Sequence, residues 1–221
     1  MMKQEYADVT GAIFDLDGTL LNSMYIWTEI GTRFMEKHGI VPTPQNQQDF
    51  LKMSLEQAAD YYRANFDANA TKEDIINEIN TMVEGFYFHD VQLKPGVKEL
   101  LDVLKSKNVK CCVATATDKY MVEAALKRNG ILPYFSEIFT CTTVGAGKDT
   151  AVIYDEALRH LGTEKDKTLV FEDAYYAMKT AHAAGYRVIA VRDIAEEADE
   201  TAIRAVCERY ISGYEEIAPL F

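Results

Sequence analysis

The feature that most constrains this chain is the alternation of short apolar segments with helical patterns through its C-terminal part. Val109–Thr115 (VKCCVAT), Glu137–Cys141, Thr168–Phe171, Arg187–Val191 and a short final segment read as strands. Between them, helices are predicted over Val97–Lys107, Asp118–Asn129, Thr150–Leu161, Ala174–Ala184 and Ala198–Cys207, with glycine stops at Gly130, Gly162 and Gly185. The strand segments are apolar at successive positions, so both of their faces are covered. That is the signature of a parallel sheet flanked by helices.

One further strand, Val9–Phe14 (VTGAIF), stands apart from the others. After it, Met24, Ile26, Trp27, Ile30, Phe34 and Met35 recur at helical spacing, and Gly39 is a plausible stop. Val41–Pro44 is a loop with two prolines. Helical patterns follow over Gln45–Leu51, Leu55–Phe66 and Thr71–Phe88, the last opened by a capping pair, Thr71 and Asp74. No strand is convincing between Ser23 and His89. An isolated strand has nothing to pair with, so Val9–Phe14 joins the C-terminal strands. The expected fold is α/β: a doubly wound, Rossmann-like parallel sheet built from residues 1–22 and 92–221. An all-helical cap domain, residues 23–91, is inserted after the first strand.

The formal net charge is −12 over 221 residues. So acidic a chain repels nucleic acid and anionic membrane surfaces, and neither is an expected partner. No apolar run approaches the roughly 20 residues that span a bilayer. The polar stretch Met1–Tyr6 runs directly into a strand, which does not read as a signal peptide. None of the four cysteines, Cys111, Cys112, Cys141 and Cys207, sits in a CxxC pair. They read as reduced core residues of a cytoplasmic protein, and a cysteine metal site is not expected.

Ligands of an open parallel sheet bind beyond the carboxyl ends of its strands. Asp15, Asp17, Gly18 and Thr19 follow the first strand, and Thr115, Ala116 and Thr117 the second. Lys148 follows the third, in a Gly-rich loop, and Glu172 and Asp173 follow the fourth. Several carboxylates thus converge on one edge. Two unit charges about 4 Å apart interact by roughly 4 kcal/mol at an effective dielectric near 20, so such a cluster calls for a divalent cation. Oxygen-only ligands with a position open to a phosphate oxygen suit Mg²⁺. Lys148 and the backbone N–H groups after Thr115 supply the local positive charge that a phosphate requires in an acidic protein.

This set resembles the haloacid dehalogenase (HAD) superfamily, in its phosphatase branch with a helical insertion after the first strand. The resemblance covers the whole chain. It is carried by Asp15-Leu16-Asp17-Gly18-Thr19-Leu20, Thr115 at a strand end, Lys148, and Glu172-Asp173 at another strand end, in that order. The first motif is specific; the threonine and lysine gain force from order and spacing. The resemblance implies a Mg²⁺-dependent phosphomonoester hydrolase acting on a small phosphorylated metabolite. It implies that Asp15 is the nucleophile that becomes phosphorylated, and that Asp17 is the general acid and base. Thr115, the Ala116 amide and Lys148 would hold the phosphoryl group. Asp15, the Asp17 carbonyl and Asp173 would ligate the metal, with Glu172 behind them or as a further ligand. The substrate's identity and the oligomeric state are not readable from the chain.

Blander readings stand beside these. Asp-Gly after a strand is often only a turn, Thr115 a strand residue with a local bond, Lys148 a solvated loop lysine, and Glu172-Asp173 a helix cap. Gly145-Ala146-Gly147-Lys148 faintly resembles a P-loop, but Thr142 and Asp149 occupy positions that need Gly and Ser/Thr. The aromatic residues Tyr25, Trp27 and Phe34 read as core, and Glu196–Glu200 as a solvated helix face. Within the superfamily, the dehalogenase and phosphonate-hydrolysing branches lack the second aspartate. The β-phosphoglucomutase branch shares the cap type and all four motifs. It has Val where this chain has Thr19, His where it has Trp27, and a cap Arg near Leu55, though Lys52 and Arg63 lie close by. Those departures favour hydrolysis. A catalytically idle binding protein on the same fold is opposed by the intact Asp15, Asp17 and Asp173.

Overall fold

The protein, a computed structural model, is described over residues 5–50, 53, 55–67, 69–196 and 198–221, without the side chains of residues 27, 28 and 47–49. The expectations attached to the Trp27 side chain, Leu51, Lys52 and Glu197, and to the first four residues, lie outside that set.

Among the described residues the strands are β1 (Gly11–Phe14), β2 (Lys110–Thr115), β3 (Phe135–Thr140), β4 (Thr168–Glu172), β5 (Arg187–Val191) and β6 (Arg209–Ile211). The helices are α1 (Tyr25–Lys37), α2 (Pro44–Phe50), α3 (Leu55–Asn65), α4 (Lys72–His89), α5 (Val97–Ser106), α6 (Lys119–Arg128), α7 (Cys141–Val144), α8 (Val152–Leu161), α9 (Tyr175–Ala183) and α10 (Glu200–Arg204). The strands form one parallel sheet in the order β3-β2-β1-β4-β5-β6. The strand order reverses between β1 and β4, the doubly wound switch point at which such sheets open a crevice for ligands.

The chain divides into two compact units, Met1–Asn22 with Val91–Phe221, and Ser23–Asp90. In the first, β1 lies at the centre and its residues Gly11–Phe14 are all buried. Ile13, Cys112, Val170 and Val188 share one core with Ile153 and Ala157 of α8 and Met178 and Ala181 of α9. Phe14 stacks on Phe171 with ring centroids 4.4 Å apart, and Phe171 meets Tyr214 at 6.2 Å. Burying each such side chain contributes about 1.5–3 kcal/mol, which fixes the level at which β1 and β4 end.

The second unit is helical. Ile30 and Phe34 of α1, Tyr62 of α3, and Ile75, Ile79 and Val83 of α4 are buried, and Phe34 meets Tyr62 edge-on at 4.9 Å. Thr71 caps α4 by accepting the Asp74 N–H at 3.1 Å. Asp74 is one methylene shorter than Glu, and its carboxylate accepts the Thr71 hydroxyl at 2.6 Å. The segments that join the units pair within the first: Asn22 N–H donates to Gln92 O and Lys94 N–H to Leu20 O, each at 2.9 Å.

Two elements differ from the sequence reading. Cys141 begins α7 rather than ending β3. The Thr140 hydroxyl accepts the Thr143 N–H and the Thr143 hydroxyl accepts the Thr140 N–H, both at 3.0 Å, a reciprocal cap that turns the chain one residue early. The helix expected over Ala198–Cys207 is only Glu200–Arg204, because Asp199 accepts the Thr201 N–H at 2.6 Å and acts as its N-cap. Glu196 is therefore not on a helix face: it accepts the Tyr175 N–H at 2.6 Å and caps the start of α9.

Candidate active site

Phe14 is in register with Phe171, and Asp15 N–H still donates to Phe171 O at 2.9 Å. Asp15 therefore leaves the sheet level with Glu172 and Asp173 on the neighbouring strand. The turn that follows is closed by Leu20 and Leu21 N–H groups donating to Leu16 O at 2.9 and 2.8 Å, and by Gly18 N–H donating to Leu21 O at 3.0 Å. Gly18 takes φ 77°, a left-handed conformation that a side chain would strain. This turn fixes where Asp17 and Thr19 stand relative to Asp15.

Carboxylate oxygens of Asp15, Glu172 and Asp173 lie within 4.8 Å of one another, all in buried residues. Lys148 is only 4% exposed, so it is not a solvated loop lysine. Its Nζ donates to Asp15 Oδ1 and, at 2.8 Å, to Glu172 Oε2. Burial alone would lower the Lys148 pKa, but the Asp15 and Glu172 charges outweigh it and hold the ammonium well above its ordinary value. One ammonium among three carboxylates leaves the cluster short of positive charge. Burial, then the Glu172 charge, pushes Asp15 up to about 6 despite Lys148. Burial, then the Asp15 and Glu172 charges, pushes Asp173 up to about 9.

Asp17 is half-buried and its Oδ2 accepts the Thr117 hydroxyl at 2.5 Å, which ties it to the end of β2. Thr115 is buried, and its Oγ1 accepts the Thr117 N–H at 3.1 Å. Ala116 between them is exposed. Asp15, Asp17, Thr115, Ala116, Lys148, Glu172 and Asp173 thus lie at the carboxyl edge of β1, β2 and β4 or on the loop after α7. The helix-cap alternative for Glu172-Asp173 has limited weight. Glu172 Oε1 accepts the Ala174 N–H only at 3.3 Å, while the α9 start is capped by Glu196.

The sequence reading gave no role to four side chains that bond the acids of this site or the turn beside them. Thr19 donates its hydroxyl to Asp173 Oδ1 at 3.0 Å. The Tyr214 hydroxyl donates to Thr19 O at 3.0 Å, and the Tyr154 hydroxyl to Glu172 Oε2 at 3.2 Å. Thr117 is the fourth. Thr19 and Thr117 were within reach of sequence reasoning, as hydroxyls flanking acids at strand ends. Tyr154 and Tyr214 sit among core apolar residues and carry no local signal.

The donor set fits a hard divalent cation. It is all carboxylate, buried, mutually close and under-neutralised, and carboxylate-only sites select Mg²⁺-like ions over softer metals. Among the described residues, no helix is long and apolar enough to cross a membrane.

Residues 12–191 match the model of the haloacid dehalogenase-like hydrolase family. A phosphorylated carbohydrates phosphatase of Thermotoga maritima is 25% identical over 78% of this chain and 80% of its own length. A validoxylamine A 7'-phosphate phosphatase of Streptomyces hygroscopicus subsp. limoneus is 28% identical over 79% and 81%. Among solved structures, a Thermotoga maritima protein provisionally described as a β-phosphoglucomutase superposes with a TM-score of 0.84. It is 23% identical and covers 96% of this chain and 98% of its own, a likeness that speaks to the fold alone. The motifs, the six-stranded parallel sheet and the match over residues 12–191 lead to one assignment: the chain belongs to the haloacid dehalogenase-like hydrolase family.

Proposed function

We propose that this HAD-type phosphatase hydrolyses phosphomonoesters of small polyhydroxylated metabolites through a phospho-aspartyl intermediate on Asp15. The observation that carries the reading is the buried contact of Lys148 with both Asp15 and Glu172 beside Asp173. It places a cation against a carboxylate that must approach an anionic ester. The substrate class follows the names of the relatives, which include hexitol phosphatases of Escherichia coli.

In this reading, an Asp15 oxygen attacks phosphorus in line while Asp17 gives its proton to the departing alcohol oxygen. The P–O bond to the alcohol breaks and an acyl phosphate forms. Asp17, now a carboxylate, takes a proton from water as the water attacks phosphorus. Phosphate leaves, and Asp15 and protonated Asp17 are restored. The Thr117 hydroxyl keeps the Asp17 carboxyl aimed from the end of β2. Lys148 has three donors; two serve Asp15 and Glu172, and the third serves a phosphoryl oxygen. Thr115 accepts one bond and keeps its own proton to donate, beside the Ala116 amide. Asp15, Asp173 and the Asp17 carbonyl would hold Mg²⁺, with Glu172 behind them, and the ion would offset the negative charge that gathers at phosphorus. The unit Ser23–Asp90 takes the part of the cap that selects the substrate. The unpaired cysteines accord with a cytoplasmic setting.

The test is a panel of sugar, hexitol and nucleoside phosphates incubated with Mg²⁺, reading inorganic phosphate and the phosphorylated products. The expected result is free alcohol and phosphate in equal amounts, with ³²P trapped on Asp15 during turnover. A sugar 1-phosphate that becomes a 6-phosphate much faster than phosphate is released would overturn hydrolysis in favour of a mutase.

A further inference from the structure

A buried line of hydrogen bonds runs beneath the nucleophile from a side chain that the proposed reaction does not use. Tyr154 is 1% exposed on α8, and its ring packs in the core, 5.9 Å from the Tyr186 ring. Its hydroxyl donates to Glu172 Oε2 at 3.2 Å. The same oxygen accepts Lys148 Nζ at 2.8 Å, and Lys148 also donates to Asp15 Oδ1. The second Glu172 oxygen accepts the Ala174 N–H at 3.3 Å.

A lysine ammonium is a point charge with rotatable donors on a flexible stem, so its direction is set by its acceptors. Glu172 is the acceptor that decides from which side Lys148 meets Asp15. A glutamate carboxylate also rotates about its last torsion with little preference. Here each of its oxygens has a further donor, the Ala174 N–H at 3.3 Å on one and the Tyr154 hydroxyl at 3.2 Å on the other. A phenylalanine ring would fill the same core space, so the hydroxyl is the part of Tyr154 that packing does not require. A phenol carries its proton at neutral pH, so the hydroxyl is a donor to the carboxylate.

We propose that Tyr154 is a positioning residue: through Glu172, its hydroxyl fixes the direction in which Lys148 engages Asp15. The inference rests on the phosphatase reading given above.

The test is Tyr154→Phe, alone and in a Glu172→Gln background. Losing a hydrogen bond to a charged group that orients the nucleophile's partner should lower kcat about tenfold or more, with KM changed much less. In the Glu172→Gln background the same substitution should change kcat less than about twofold, because the route through Glu172 is already broken. Crystals of Tyr154→Phe should show Lys148 Nζ displaced from Asp15. An equal loss in both backgrounds with a lowered Tm would mark Tyr154 as packing only and overturn the inference. So would an unchanged kcat. If the wild type releases phosphate from no ester, the phosphatase reading fails by itself. The crystals then decide the positioning role, and Lys148 unmoved against Asp15 would reject it.

Discussion

Thr19 donates its hydroxyl to Asp173 Oδ1 at 3.0 Å, across 154 residues of sequence. Both groups are buried, and the Tyr214 hydroxyl holds the Thr19 carbonyl from the other side. The strand-β1 turn and the β4 end are thus tied at the carboxylate proposed to hold the metal. Thr19 is also where the mutase branch, as resembled here, carries valine. Valine has nearly the same shape but no donor. Thr19→Val should leave the fold in place and weaken Mg²⁺ activation about 10- to 100-fold, the range for partners that orient a ligand. A Mg²⁺ titration of phosphate release measures it. An unchanged Mg²⁺ half-saturation would show that Asp173 is oriented without Thr19.

The acid cluster also predicts how metal and pH are linked to stability. Asp15 and Asp173 are raised by burial and by neighbouring carboxylates to about 6 and about 9. In the unfolded chain an aspartate titrates near about 3.9. The folded protein therefore binds protons more tightly than the unfolded one. That contribution is fully present below about pH 4 and is lost as pH rises through about 6 and then about 9. Without metal, Tm should fall progressively across this window. Mg²⁺, proposed above to bind the ionised cluster, should restore stability increasingly toward pH 9. Thermal melts in EDTA and in Mg²⁺ at matched pH give the difference directly. A Mg²⁺ shift in Tm that is the same at pH 5 and pH 9 would contradict it.

Asp15 and Asp17 should fail in different ways when each is changed to asparagine. Asp15→Asn removes the proposed nucleophile, so no phospho-enzyme should form on any ester. Asp17→Asn keeps that residue and removes the proposed proton donor, a group typically worth about 10²–10⁴-fold. An aryl phosphate leaves without needing a proton, so the first turnover of Asp17→Asn should be far closer to wild type on aryl than on alkyl esters. Rapid-quench measurement of the phospho-enzyme burst separates the two variants. Equal defects on both ester types would refute the assigned roles.

Much of this was legible in the sequence, for reasons that can be traced. Strands buried on both faces are continuous apolar runs, so β2, β4 and β5 declared themselves, and β1 was placed by needing partners. Acids that end strands of a parallel sheet can only gather at one edge, which made Asp15, Glu172 and Asp173 readable together. Side chains acting on that cluster from inside the core were not readable. Tyr154 and Tyr214 look like packing residues because their rings are; only the partner of each hydroxyl separates the two uses. The reading of Glu196–Glu200 as a solvated helix face fails at its first residue, which precedes the helix. Once Asp199 is the cap, Glu196 is free to reach the first N–H of α9. Thr143 standing in for the usual Glu of a capping box hid α7 in the same way.

The return from the helical unit is held by an ion pair that belongs to none of the motifs. Lys94 Nζ meets Asp193 Oδ2 at 2.7 Å, with side chains 11% and 4% exposed. Lys94 also donates to Arg192 O at 2.8 Å, and the Ala195 N–H donates to Asp193 Oδ1 at 3.0 Å. Asp193 is buried and Lys94 half-buried, so removing one partner is worse than removing both. Lys94→Met leaves Asp193 without its cation and should cost about 1–3 kcal/mol. In a unit of this size that is a fall in Tm of roughly 2–12 °C. The double variant Lys94→Met/Asp193→Leu removes both charges at similar volume and should recover most of the loss. Calorimetry of the wild type, both single variants and the double variant closes the cycle. Additive losses would mean that the two side chains contribute independently, and that the pair does not hold the ribbon of Leu20–Asn22 and Gln92–Lys94 against the end of β5.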